Sequence, residues 1–133
     1  MARFMQSLGY RGPASIDAVI DQAGNVWFNE VNARLGGSTH LHHIAKTLVG
    51  PDWTDSHVLI SRFNVRAPAL ARLLRAMREH GLAWDSRHGH GIVIASDDTA
   101  ATGNIEYVVL AHNHEEASDL EDQLTGLMAQ HDS

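Results

Sequence analysis

The chain lacks cysteine and has a single lysine, Lys46, and only three prolines among its 133 residues. Without cysteine, disulfides and thiolate metal sites are excluded. The net charge of −6 and the lack of a basic patch interleaved with aromatics argue against nucleic-acid binding. No apolar run is long enough to span a bilayer, and the N-terminus does not resemble a signal peptide. We therefore expect no membrane association and a cytoplasmic location.

The first forty residues contain a predicted β-hairpin. Residues 15–21 alternate between apolar and polar side chains, and residues 26–32 are rich in β-branched and aromatic ones. The four residues between them, Gln-Ala-Gly-Asn, favour a turn. With a four-residue loop, Asp17 lies opposite Glu30, and Asn32 follows on the same face. A five-residue loop would shift this register.

These three side chains are candidate ligands for a divalent cation. Opposed carboxylates about 5 Å apart repel by about 3 kcal/mol at an effective dielectric of 20, which a cation would relieve. Magnesium suits carboxylate and carbonyl oxygens and shares its coordination with substrate phosphates. The hairpin alone leaves the alternative open that both acids simply point into water.

The residues around the hairpin form a longer motif. It runs Gly9-Tyr10-Arg11-Gly12-Pro13-Ala14-Ser15-Ile16-Asp17 and then Phe28-Asn29-Glu30-Val31-Asn32-Ala33-Arg34. This motif resembles the C-terminal catalytic segment of the ATP-grasp superfamily, in the order found in biotin carboxylases and D-alanine–D-alanine ligases. The resemblance implies that ATP is a co-substrate and that Mg²⁺ (or Mn²⁺) is bound by Asp17, Glu30 and Asn32.

The same resemblance assigns roles to three further residues. Arg34 matches an arginine near the phosphates and the reacting acyl group, and Ser38 matches a substrate-contacting hydroxyl. The dipeptide ligases have an arginine where this chain has Ser15, so Arg34 or Arg11 would have to supply positive charge to the acyl-phosphate transition state. We expect Arg34 to be catalytic and Arg11, Asn32 and Ser38 to contact the nucleotide or substrate.

The implied activity is that of an ATP-dependent carboxylate–amine ligase. Whole ATP-grasp enzymes carry the adenine pocket and the phosphate-gripping lysines upstream of this segment. We therefore expect the chain to be incomplete alone: a fragment, a truncated reading frame or half of a split enzyme whose partner is an upstream region or subunit. The alternative is a non-catalytic module, a homodimer for example, that retains a relic motif.

The remaining sequence predicts a small α/β unit. A helix over 39–49 is followed by a connector over 52–57, where we place a boundary between domains 1–52 and 58–133. Strand 58–66, helix 68–81, strands 91–96 and 105–112 and a final helix then predict a βαββα sandwich. Asn113 and Glu116 have capping-box spacing ahead of that helix. The fold class is α/β (α+β), an ATP-grasp C-terminal hairpin followed by this sandwich.

Two segments of this tail resemble the C-terminal domain of peptide ligases of the pheganomycin type. They are Gly89-His90-Gly91-Ile92-Val93-Ile94 and Tyr107-Val108-Val109-Leu110-Ala111. The residues of the tail show no nucleophile with a base at recognisable spacing, and a structural or dimerising role is favoured.

Ten histidines occur in the chain, and four of them form His-x-His pairs at predicted strand ends. These pairs are His88 with His90 and His112 with His114. Such pairs can bind zinc or nickel, because alternate strand residues share a face. Without a third ligand at defined spacing, surface histidines are the favoured interpretation. His40, near the predicted magnesium face, is the main exception.

Overall fold

The computed structural model describes residues 2–34, 36–37 and 39–131. Its elements are, in order, α1 (Ala2–Ser7), β1 (Ser15–Ile20), β2 (Val26–Asn32), α2 (Thr39–Leu48), a 3-10 turn (Trp53–Asp55), β3 (Val58–Arg66), α3 (Leu70–Glu79), β4 (Gly91–Asp98), β5 (Asn104–Ala111) and α4 (His114–His131). The expected α+β class and the βαββα order of the tail are confirmed. Among the described residues, no helix combines the length and apolarity that crossing a membrane requires.

The contacts divide the chain into two compact units, residues 1–40 and 41–133. The sequence placed the boundary later, after residue 52. The difference arises at α2, where Leu41 and Ala45 are buried in a cluster with Val108 and Leu110 of β5. These small and branched apolar side chains give α2 a stripe that packs on the sheet of the second unit.

The first unit contains an antiparallel hairpin of β1 and β2. Its loop has five residues, because Ile20 and not Asp21 pairs with Val26. A bulge between Asp17 and Ala18 then shifts the register back by one residue, so that Asp17 pairs with Glu30. The predicted pairing of the two acids is therefore confirmed, although the predicted pairing of Asp21 with Val26 is wrong. The bulge offsets the longer loop.

The longer loop has a local cause in the side chain of Asp21. Its carboxylate accepts hydrogen bonds from the backbone N–H groups of Ala23 and Asn25 (both 2.9 Å), the Asn25 amide (2.9 Å) and the Trp27 indole N–H (3.1 Å). These donors, the Asn25 side chain foremost and the Trp27 indole next, lower the pKa of Asp21 to about 2. Asp21 thereby becomes part of the turn and does not pair with a residue of β2.

The second unit is built on a three-stranded antiparallel sheet in the order β3-β5-β4. The central strand β5 is buried on both faces, which explains its almost continuous apolar sequence. Ile105, Tyr107, Val109 and Ala111 belong to a cluster with residues of α3 and α4, among them Leu73, Met77, Leu120 and Leu124. Val108 and Leu110 belong to the α2 cluster on the opposite face. The result is three layers, with helices on both sides of the sheet.

A partly buried polar contact joins α4 to this sheet. The Tyr107 hydroxyl donates to Glu121 Oε1 (2.9 Å), and the Arg62 guanidinium donates to Glu121 Oε2 (2.9 Å). Burial, reinforced by the Glu121 carboxylate, raises the pKa of Tyr107 to about 12. Because Arg62 and Tyr107 are paired on neighbouring strands, this one carboxylate connects three elements.

Candidate functional site

The two predicted magnesium ligands of the hairpin lie at directly opposed positions. Asp17 on β1 is the Cα partner of Glu30 on β2, and Asn32 pairs with Ser15 two residues further along. Since alternate residues of a strand point to one face, the two acids and the amide occupy one face of the hairpin. The donor set contains oxygen only, which fits Mg²⁺. Their role as ligands stays a prediction.

The exposure of these acids changes the electrostatic argument made from the sequence. Both Asp17 and Glu30 are exposed side chains. At about 5 Å in a dielectric near that of water, two carboxylates repel by only about 1 kcal/mol, not the 3 kcal/mol expected for a partly buried pair. The repulsion therefore provides weaker support for a cation, and the argument depends on the arrangement of oxygens.

Arg34 lies next to this face of the hairpin. Its guanidinium donates to the amide oxygen of Asn32 at 3.4 Å, a long hydrogen bond. The segment then turns into α2, where the Gly36 N–H donates to Thr39 Oγ1 (2.9 Å) and the Thr39 N–H to the Gly36 carbonyl (3.1 Å). Ser38, predicted to contact substrate, lies outside the described residues.

Arg11 lies in the connection between α1 and β1. It lines a cleft of about 380 Å³ together with Met5, Tyr10 and Ile16, among others. The Tyr10 hydroxyl donates to the Pro13 carbonyl (2.6 Å) and so fixes this connection. The predicted role of Arg11, a contact to the nucleotide, stays a prediction.

A second group of polar side chains lies at one end of the sheet in the second unit. His90 directly precedes β4, His112 directly follows β5, and Glu116 lies in the first turn of α4. One ligand atom from each of the three lies within 4.8 Å of those of the other two. Among the residues that the structure describes, no other set of three His, Asp or Glu side chains is as close. We call these residues the His90–His112–Glu116 cluster.

Glu116 is the centre of this cluster. Its carboxylate accepts hydrogen bonds from His90 Nδ1, from His112 Nδ1 (3.2 Å) and from the backbone N–H of His112 (2.8 Å). The hydrogen bond from the His112 backbone contributes most to lowering the pKa of Glu116, followed by those from the two imidazoles. The carboxylate is therefore ionised at neutral pH and accepts from both rings.

The backbone before β4 fixes the position of His90. Gly91 has φ +136°, and a Cβ on it would lie 2.6 Å from the Trp84 Cα. Only glycine fits this conformation and this close approach. The Asp85 N–H donates to the His90 carbonyl (3.1 Å), and the Trp84 N–H donates to the Ile92 carbonyl (3.0 Å). These two hydrogen bonds fix the backbone at His90 and two residues after it.

The sequence contained the signals for this cluster but not their combination. The two His-x-His pairs flank β4 and β5, and in an antiparallel pair the start of one strand meets the end of the next. Glu116 was recognised only through its capping-box spacing with Asn113. One half of that box forms, because the Glu116 N–H donates to Asn113 Oδ1 (2.9 Å), whereas the Glu116 carboxylate accepts from the N–H of His112. His40, the histidine singled out from the sequence, lies in α2 and is not a member of this cluster.

Comparison with known proteins gives one family match. Residues 72–124 match the family model described as the PGM1 C-terminal domain. The matched segment runs from α3 into α4 and does not include the hairpin motif on which the ATP-grasp resemblance rests. No curated protein matches the chain. The expected similarity of the tail to a known C-terminal domain is thus confirmed for residues 72–124. Its relation to peptide ligases stays a prediction.

Proposed function

We propose that the chain is the C-terminal part of an ATP-dependent carboxylate–amine, peptide-type ligase. It contributes ligands for Mg²⁺ (or Mn²⁺) and for the phosphates of ATP during acyl-phosphate formation. The observation that carries the proposal is the pairing of Asp17 with Glu30 and the position of Asn32 on the same face. The motif around the hairpin resembles the ATP-grasp catalytic segment at these same positions.

Each residue has a role that its chemistry supports. When bound, Mg²⁺ neutralises charge on the triphosphate during phosphoryl transfer. The carboxylates of Asp17 and Glu30 and the amide oxygen of Asn32 hold the ion. Arg34 lies beside Asn32, and its planar guanidinium suits a phosphate or acyl-phosphate oxygen. Arg11 is the second arginine of this unit that we expect to contact the negative charge of the nucleotide or substrate. The hydroxyl of Ser38 is expected to contact the substrate.

The proposal includes a partner for the hairpin. Ile20, Val26 and Phe28 are 69%, 53% and 55% exposed, and an isolated two-stranded hairpin is only marginally stable. An upstream ATP-grasp region or a separate subunit would cover these side chains and supply the adenine pocket. By its description, the matched PGM1 domain is the C-terminal part of a larger protein, which supports such an arrangement.

The same exposed side chains favour a second candidate function. A non-catalytic dimerising or binding module could bury them against a second copy of the chain, with the hairpin motif as a relic. In this case the three oxygen ligands would have no role in nucleotide binding.

Titration calorimetry with Mg-ATP, with and without an upstream ATP-grasp subunit, separates the two functions. The ligase proposal expects heat of binding with the subunit present, and a loss of at least tenfold in affinity in Asp17→Asn and Glu30→Gln. The control is Glu79→Gln, an exposed acid at the end of α3. Absence of binding in every arrangement contradicts the ligase proposal and supports the relic.

A further inference from the structure

We propose that the His90–His112–Glu116 cluster is a binding site for a first-row divalent transition-metal ion of the zinc type. The site lies in the second unit. It is independent of the hairpin and of the proposed ligase function, because it shares no residue with either.

The topology brings the three ligands together and holds them there. The start of β4 pairs with the end of β5 through Gly91 and Leu110, which places His90 and His112 at the same end of the sheet. Glu116 is fixed at the start of α4 by the helix cap that Asn113 forms with its N–H. Ligands carried on strand ends and a helix cap have little freedom to separate.

The distances require only a small adjustment for an ion. The ligand atoms lie within 4.8 Å of one another. Zinc–nitrogen and zinc–oxygen bonds of about 2.0–2.1 Å place tetrahedral ligand atoms roughly 3.4 Å apart. A contraction of at most about 1.4 Å, within reach of side-chain rotation, brings the set to this geometry.

The types of ligand select the class of metal. Two imidazole nitrogens and one carboxylate favour zinc and its first-row neighbours over Mg²⁺ or Ca²⁺, which prefer oxygen alone. The Nδ1 protons that the two rings share with Glu116 would leave these atoms when the ion binds, because a ligating nitrogen must present its lone pair. A neutral ring then carries its proton on Nε2.

Three protein ligands leave a fourth position for water or another ligand. A cleft of about 620 Å³ adjoins the cluster, lined by further residues that include His80, Leu82, Asp119 and Gln123. The ion would therefore be reachable from solvent, as in zinc sites that carry a bound water, in contrast to closed structural sites with four protein ligands.

Two neighbouring histidines lie against the ligand rings: the ring centroid of His57 is 4.8 Å from that of His112, and the ring centroid of His88 is 5.9 Å from that of His90. His57 uses both ring nitrogens: Nε2 donates to the Gly89 carbonyl (2.8 Å), and Nδ1 is bonded to the Ser56 hydroxyl (2.8 Å). His88 Nδ1 is bonded to Asp85 Oδ2 (3.0 Å). His114 is exposed in the first turn of α4. His88 and His114 are the partners of His90 and His112 in the two His-x-His pairs.

The test is titration of the full chain with ZnCl₂ by calorimetry. We expect one zinc ion per chain, with affinity at least tenfold weaker in His90→Gln and in His112→Gln and unchanged in the control variant His114→Gln. Absence of zinc binding by the unaltered chain overturns the proposal. An equal loss of affinity in the site and control variants also overturns it, since it would indicate diffuse binding to surface histidines.

A second measurement avoids dependence on folding of the variants. In ¹⁵N NMR spectra of the unaltered chain, zinc should shift the ring Nδ1 signals of His90 and His112 and leave that of His114 in place. Shifts confined to other histidines contradict the site. Circular dichroism of each variant shows whether it is folded. The calorimetric result is used for folded variants, and the NMR result decides where a variant does not fold.

Discussion

Removal of α2 is the sharpest test of how the second unit is built. The structure predicts that residues 39–133 fold as a unit, whereas residues 58–133, the domain expected from the sequence, do not fold stably. The reason is that α2 covers Val108 and Leu110 of the central strand, both 0% exposed. Without α2, this face of β5 is opened to water.

The expected loss follows from the burial of these two side chains. Complete burial of a valine or leucine stabilises by about 1.5–3 kcal/mol, so exposing both costs up to about 3–6 kcal/mol. A domain of this kind has a total stability of about 5–15 kcal/mol. The shorter chain should therefore unfold at much lower urea concentration than the longer one, or remain partly unfolded without urea, as followed by far-UV circular dichroism.

Single substitutions in the whole chain provide the matched comparison. Leu41→Ala on the buried face of α2 should cost about 2–3 kcal/mol, whereas Lys46→Ala on its exposed face should change stability by less than about 0.5 kcal/mol. Equal unfolding midpoints for residues 58–133 and 39–133, together with equal costs for the two substitutions, would refute the placement of α2.

Three further outcomes are expected. Gly91→Ala should destabilise the protein by about 2 kcal/mol or more in thermal unfolding, because φ of Gly91 is +136° and a Cβ there would meet backbone atoms. Gly126→Ala within α4 should instead stabilise the protein by about 0.5–1 kcal/mol, because a Cβ there meets nothing within 4 Å. Tyr107→Phe should cost about 1 kcal/mol in urea unfolding. Since the folded pKa of Tyr107, about 12, exceeds its ordinary value of 10, its contribution is complete below pH 10 and is lost as the pH rises through 12; a stability curve for Tyr107→Phe should lack this alkaline decline. The lowered pKa of Asp21, about 2 against an ordinary 3.8, means that its contribution to the turn is present above about pH 4 and is lost as the pH falls through 2, which the NMR signal of the Trp27 indole N–H should report.

The sequence predicted most of the fold because local patterns and tertiary packing agree in the second unit. The apolar runs in β3 and β5, the helix stop at Gly81 and the cap at Asn113 are all local signals, and each element lies within a few residues of its predicted bounds. The partner of α2 could not be predicted in this way. An amphipathic helix shows that one face is buried but not against which element.

The hairpin shows how a correct pairing can come from an incorrect loop. The prediction of a four-residue loop rested on Gly24 and Asn25 and did not consider the hydrogen bonds that make Asp21 part of the turn. The alternation of apolar and polar residues gave no indication of the bulge between Asp17 and Ala18. The two effects cancel at Asp17 and Glu30. The His90–His112–Glu116 cluster was missed because its members come from three separate segments, and only the sheet topology joins them.

We propose above that Asp17, Glu30 and Asn32 share one divalent ion beside the phosphates of ATP. Titration of the ¹⁵N-labelled chain with substoichiometric Mn²⁺, in the presence of ATP and an unlabelled upstream ATP-grasp subunit, tests it directly, since paramagnetic broadening detects even weak binding. The account predicts that the backbone signals of these three residues broaden first and recover when excess Mg²⁺ is added. Unchanged signals at these positions, with broadening elsewhere or nowhere, would contradict it.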